Sequence, residues 1–185
     1  MSLTALWLLL SGTAFDLDPA WKPVADPLAP ARAGKIQCHE PDPAARTCRI
    51  MTWYEVRADG RARSRSISAI NDEMGIAAEA RMDLAPEGGG MCGTVDDAYM
   101  ASYRLVRNRA PFAAVDNKQL TILYREGLLA ALWNRKHCAF NFARDADDVR
   151  LDVSTVDGQF AGEMMGQFSW VDPKAGYRLK ASAPG

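Results

Sequence analysis

The chain has 185 residues, 24% of them charged, and a formal net charge of −1 at pH 7. That length suits one domain with a real core. The near-neutral balance leaves no chain-wide electrostatic footprint for nucleic acid or an anionic membrane surface, so no nucleic-acid partner is expected.

Leu3 to Leu10 form an apolar run, too short to span a bilayer, which takes about 20 such residues. Gly12 and Ala14 supply the small side chains a signal peptidase needs, so residues 1–14 read as an export signal cleaved after Ala14. Because no Lys or Arg precedes the run, the competing reading is an uncleaved, buried N-terminal helix. Leu10-Ser11-Gly12-Thr13 has the form of a lipoprotein box with Thr13 in place of the acylated cysteine. A hydroxyl cannot replace that thiolate, so no stable membrane anchor is expected.

Residues 15–34 contain Pro19, Pro23, Pro27 and Pro30, which oppose helix and remove sheet donors. This segment is expected to be an extended arm or linker, free or docked through Leu17, Trp21, Val24 and Leu28. A single domain over residues 35–185 follows. Its cysteines, Cys38, Cys48, Cys92 and Cys138, form an even set that would pair in an oxidising compartment. Of the three possible connectivities, Cys38 with Cys48 and Cys92 with Cys138 is favoured, since the first two flank a short proline-containing excursion.

Thr47 to Ile70 predict a hairpin turning at Ala58-Asp59-Gly60, with Gly60 in the left-handed conformation that closes a three-residue loop. That loop sets Glu55 opposite Arg63 and Trp53 opposite Arg65, an ion pair and a cation–π contact on one face. The other face carries Cys48, Ile50, Thr52, Tyr54 and Val56 toward the interior. Ile76 to Asp83 alternate as a half-buried strand, ended by Pro86 and the run Gly88-Gly89-Gly90. That run lacks the Gly-Lys-Ser/Thr ending of a phosphate loop. Met91 to Val95 predict a short strand, and Tyr99 to Val106 another strand or a short helix.

The principal helix is expected to begin near Asp116, whose spacing to Gln119 fits a capping box. Leu120, Tyr124, Gly127, Leu128 and Ala131 would form one apolar stripe, and Ile122, Leu129 and Trp133 an opposite one. After Cys138 the period changes to two. Phe140 and Phe142, then Val149, Leu151 and Val153, lead through an Asp157-Gly158 turn to a strand over Gln159 to Trp170. Gly162 or Gly166 would allow a bulge there, and Tyr177 to Ala181 would close the sheet.

Motifs for chemistry are sparse. Cys38-His39 and His137-Cys138 offer zinc-type ligands, but disulfide formation would consume the thiolates, so neither metal nor cofactor is expected. No Gly-x-Ser-x-Gly elbow occurs. Asp96-Asp97 and Asp147-Asp148 read as caps and turns rather than a hydrolytic pair. Arg57, Arg61, Arg63 and Arg65 align guanidinium groups along one strand face, and with Trp53 they offer a surface for a carboxylate, phosphate or sulfated polymer. The plainer reading is a solvated face paired to Glu55.

The expected fold is therefore α+β: an antiparallel sheet of hairpins and a C-terminal meander, packed against one long α-helix and stapled by two disulfides. The expected role is that of an exported, periplasmic or secreted, non-catalytic binding protein. Its partner would be a protein or anionic ligand of the cell envelope, met through Arg61, Arg63, Arg65 and Trp53. The alternative is a small secreted hydrolase whose site assembles only in three dimensions, around His39, His137 or separated carboxylates. A purely structural or stress-protective role is the third possibility.

Overall fold

The computed structural model describes residues 17–107, 110–111, 118–119, 122–123, 130–144 and 148–180. The chain begins with β1 (Lys22–Pro23), a short helix α1 (Ala29–Arg32), β2 (Ile36–His39), β3 (Thr47–Cys48), β4 (Ile50–Val56), β5 (Ala62–Asn71), β6 (Ile76–Glu87) and β7 (Gly90–Thr94). Helix α2 (Asp97–Ser102) then precedes β8 (Arg104–Arg107), β9 (Ala110–Pro111), β10 (Lys136–Ala143), β11 (Val149–Val156), β12 (Gln159–Val171) and β13 (Arg178–Leu179). The expected leader over residues 1–14 lies outside the described residues.

The sheet closes on itself. Around the circle the order is β2, β4, β5, β6, β7, β10, β11 and β12, every neighbour antiparallel, with β12 returning to pair β2 through Ser169↔Cys38 and Val171↔Ile36. This closed eight-strand barrel replaces the expected sheet on one long helix. The segment expected to form that helix, from Asp116, lies largely outside the described residues. Within it the described Lys118, Gln119, Ile122 and Leu123 are helical and Ala130–Leu132 form a 3₁₀ turn; the α-helices whose bounds lie among the described residues are α1 and α2, both short. A sheet packed on a helix buries one face against it, whereas a closed barrel uses its own far wall. Inside and outside positions then alternate along every strand.

The β4–β5 hairpin has the register the charges demand, with Glu55↔Arg63 and Trp53↔Arg65. Its three-residue loop closes on the Arg57–Arg61 pair, with Gly60 at φ +81°. Arg65 stacks 5.5 Å from the Trp53 ring centroid. The strand read over Ile76 to Asp83 runs on through Pro86 to Glu87 before turning at Gly88-Gly89. Between Tyr99 and Val106 the chain forms both candidate elements in succession. Asp96 caps α2 by accepting the Tyr99 N–H at 2.8 Å, and β8 follows.

Helix α1 corrects one expectation. Pro30 sits in its first turn, where no intrahelical N–H is required, so the proline arm does contain a helical turn. The arm is docked: β1 pairs the end of β10, while Leu17 and Trp21 cover Phe142, Leu151 and Val153 on the outer wall. Leu28 and Ala31 pack with Ala62, Met91, Tyr54 and Trp170, placing α1 across one end of the barrel. The last strand also departs from expectation. β13 pairs in parallel with β3 in a separate two-stranded sheet instead of closing the main one. There Tyr177 and Leu179 cover an outer cluster of Met51, Cys38, Cys48 and Val106.

The disulfides join Cys38 to Cys48 and Cys92 to Cys138, the pairing favoured above. The second lies where β7 meets β10, with Cys92 directly opposite Cys138. This seam is tight. A Cβ on Gly93 would lie 2.6 Å from Met82 Sδ and 2.8 Å from the Asp83 carbonyl oxygen, and one on Gly90 2.8 Å from the Ala139 carbonyl oxygen. Side chains at either position would push β7 out of line between its neighbours. Among the described residues, no helix is long and apolar enough to cross a membrane.

Candidate functional site

An eight-strand barrel is wide enough inside for packed side chains or for one small ligand, and here part of the interior is empty. A cavity of about 260 Å³ is lined by Gln37 and His39 from β2, Ile50, Thr52 and Tyr54 from β4, and Ser64, Ser66 and Ser68 from β5. Ala139 and Asn141 from β10 and Asp152 from β11 complete the polar wall, while Leu28, Leu84 and Met91 supply apolar surface. Period-two alternation explains how these residues converge. On β4 and β5 the intervening residues, Met51, Trp53 and Ile67, pack into the outer cluster.

The polar groups are organised. Asn141 Nδ2 donates to Asp152 Oδ1 at 3.1 Å, and the Tyr54 hydroxyl donates to Gln37 Oε1. Thr52 and Ser66 share a hydroxyl–hydroxyl bond of 2.9 Å, and Ser64 donates to the Met82 carbonyl oxygen at 3.3 Å. Burial pushes the Asp152 carboxyl up to about 7, against the opposing pull of the Asn141 hydrogen bond. Burial, helped by the Asp152 charge, also holds the Tyr54 phenol far above its usual range. Burial pushes His39 down to about 4, so its ring is neutral at pH 7. That ring packs on Phe168 with centroids 5.4 Å apart. Gly166 stands opposite Asp152, and a Cβ there would lie 4.0 Å from His39 Nδ1; the missing side chain keeps the space between them open.

The residues proposed from sequence lie on the outer wall. Arg63 makes a two-pronged bond to Asp83, at 2.9 and 3.1 Å; the acid it bonds is thus on β6, not Glu55 across the hairpin. Arg57 approaches the same carboxylate at 3.7 Å, and Arg61 lies 3.8 Å from Asp59. Arg65 stacks on Trp53 and bonds Glu79 at 2.7 Å. An outer groove of about 520 Å³ runs past Arg57, Arg61, Arg63 and Arg81, with Asp83 and Asp96 in its walls. His137 sits at the seam opposite Gly93, its Nε2 buried without a hydrogen-bond partner, and does not line the cavity that holds His39. Asp147 lies outside the described residues. Among the described residues, no group of three or more His, Cys, Asp or Glu side chains is placed to hold a metal. Nor does any hydrogen bond among them join His39 to a serine or to Asp152.

Glu79 is the acid buried on this outer wall, 4% exposed, and it takes hydrogen bonds from Arg65 and from Arg104 at 2.7 Å each. Burial alone would raise its carboxyl; the bonds and charges of the two arginines outweigh that and hold it below the ordinary range. Its contribution to stability is therefore present at neutral pH and lost as pH falls through the depressed value. Glu79→Gln is expected to cost about 1–2 kcal/mol at pH 7, a modest figure because both arginines are about half exposed. Urea unfolding at neutral and acid pH checks it. The difference should shrink in acid, and an equal loss at both would assign the effect to packing.

Comparison with protein-family models, curated proteins and solved structures finds no match for this chain.

Proposed function

We propose that this chain is an exported, non-catalytic binding protein that holds a small polar ligand inside its barrel. The observation that carries the reading is the polar, organised cavity, in which Asp152, Asn141, His39, Tyr54 and a row of hydroxyls from β4 and β5 face empty space. Concave sites with a few fixed polar groups set in apolar surroundings are the usual form of small-ligand sites. Two disulfides support the exported part, since such bonds persist in oxidising compartments.

The test is a thermal-shift and native mass spectrometry screen of small polar molecules against the disulfide-intact protein and its Ser66→Leu variant. Ser66 lines the cavity, so leucine there fills it. Bound ligands should raise the wild-type Tm by several degrees and leave the variant unmoved. Ligands that bind both proteins equally would remove the barrel interior as the site. A second reading, an anion held on the outer wall, draws support from the groove past Arg57, Arg61 and Arg81. It requires that Arg61→Gln/Arg81→Gln lose retention on an immobilised sulfated polymer while Ser66→Leu keeps it.

A further inference from the structure

Among the described residues lining the barrel cavity, Asp152 is the one acid, and no Lys or Arg accompanies it. The other titratable groups facing it are Tyr54 on β4, engaged with Gln37, and His39 on β2. Neither is a cation at neutral pH. An ionised Asp152 thus has no counter-ion among the described residues that line the cavity. A carboxylate accepts up to about four hydrogen bonds, and among the described residues this side chain takes one, from Asn141. Its remaining capacity faces the cavity. A buried carboxylate left in that condition is costly, and a charged donor supplied from outside offsets the cost.

The opposite wall adds a second requirement. In the barrel circle β5 lies four strands from β11 in either direction, so Ser64, Ser66 and Ser68 stand across the cavity from Asp152. About 260 Å³ corresponds to the liquid volume of roughly nine water molecules. A lone carboxylate does not furnish the six or more oxygen ligands, several of them anionic, that a calcium site takes. A second anion would be repelled. We infer that the cavity takes a small organic ammonium ion, its nitrogen against the Asp152 carboxylate and a hydroxyl at its far end among the β5 serines. This rests on the reading of the barrel interior as a ligand site. It goes beyond that reading in naming the ligand's chemical class.

The experiment is isothermal titration of the disulfide-intact protein with three matched probes: tyramine, tyrosol with a hydroxyl in place of the amine, and 3-(4-hydroxyphenyl)propionate. Each is titrated into wild type, Asp152→Asn and Ser66→Leu, with circular dichroism confirming that the variants fold. Tyramine should bind wild type most tightly and the propionate least. Asp152→Asn should weaken tyramine by about tenfold or more and leave tyrosol within about twofold, while Ser66→Leu should weaken both. Equal binding of tyramine and tyrosol, or undiminished tyramine affinity in Asp152→Asn, overturns the ammonium inference and leaves the cavity as a site for neutral ligands. Absence of binding by all three also removes the inference. The broader reading falls with it when the wider screen is silent too.

Discussion

Replacing Cys92 and Cys138 together by serine is expected to cost about 4 kcal/mol, more than the about 3 kcal/mol expected for removing Cys38–Cys48. The closed loops differ in length, 46 residues against 10, and the chain-entropy cost released in the unfolded state grows with the logarithm of that length. Position adds to the ranking. Cys92 and Cys138 bridge β7 to β10, and β7 is the five-residue strand by which β6 reaches β10. An opened seam would expose strand edges that the closed barrel does not have. Urea unfolding of the two double variants under non-reducing conditions measures both losses. A smaller cost for the seam pair would mean that β7 and β10 stay joined through backbone bonds and packing alone.

Asp152→Asn is expected to stabilise the protein above pH 7 and to change little below pH 4. Burial raises the folded carboxyl to about 7, whereas in the unfolded chain it titrates near its ordinary value of about 3.9. Between those values the folded chain keeps a proton that the unfolded chain has shed, so stability falls as pH rises through the interval. Beyond it the full gap corresponds to roughly 4 kcal/mol. Asparagine keeps the shape and does not titrate, so a gain of roughly 2–4 kcal/mol should appear by about pH 9. Urea midpoints from pH 4 to pH 9 check the sign. Parallel curves for the two proteins would place Asp152 in an environment that tolerates its charge. A carboxylate that costs stability in the empty protein is consistent with a group retained for binding.

Much of the local structure was legible because its determinants are close in sequence. The β4–β5 register followed from one glycine able to adopt positive φ and from the need to keep Arg63 and Arg65 off the face of Tyr54. The Cys38–Cys48 pairing followed from the short loop between them. Closure was not legible, since the pairing of Ile36–His39 with Phe168–Val171 joins opposite ends of the domain and no local pattern specifies it. The interior was hidden for a related reason. Periodicity sorts apolar from polar, yet here the inward face of β5 carries Ser64, Ser66 and Ser68, while Ile67 and Trp53 pack outward beneath the C-terminal segment. Asp152 alternates with the apolar Leu151 and Val153, so period two by itself assigns it to the solvent side. The one available signal was Tyr54 and Thr52, read as inward-facing on β4, which marked their hydrogen-bonding partners across the strands as inward too.

The sulfur bridge at the seam has a bearing on how the molecule would withstand proteolysis. A peptide bond cut anywhere from residue 95 to residue 135 divides the backbone but leaves both pieces tethered through Cys92 and Cys138. Strands β2 to β6 stay on one piece and β10 to β12 on the other, with the bridge anchoring the two at the place where they already meet. Such a cut therefore leaves every strand of the barrel circle whole, and the two pieces of a nicked molecule would part only once a reductant is present.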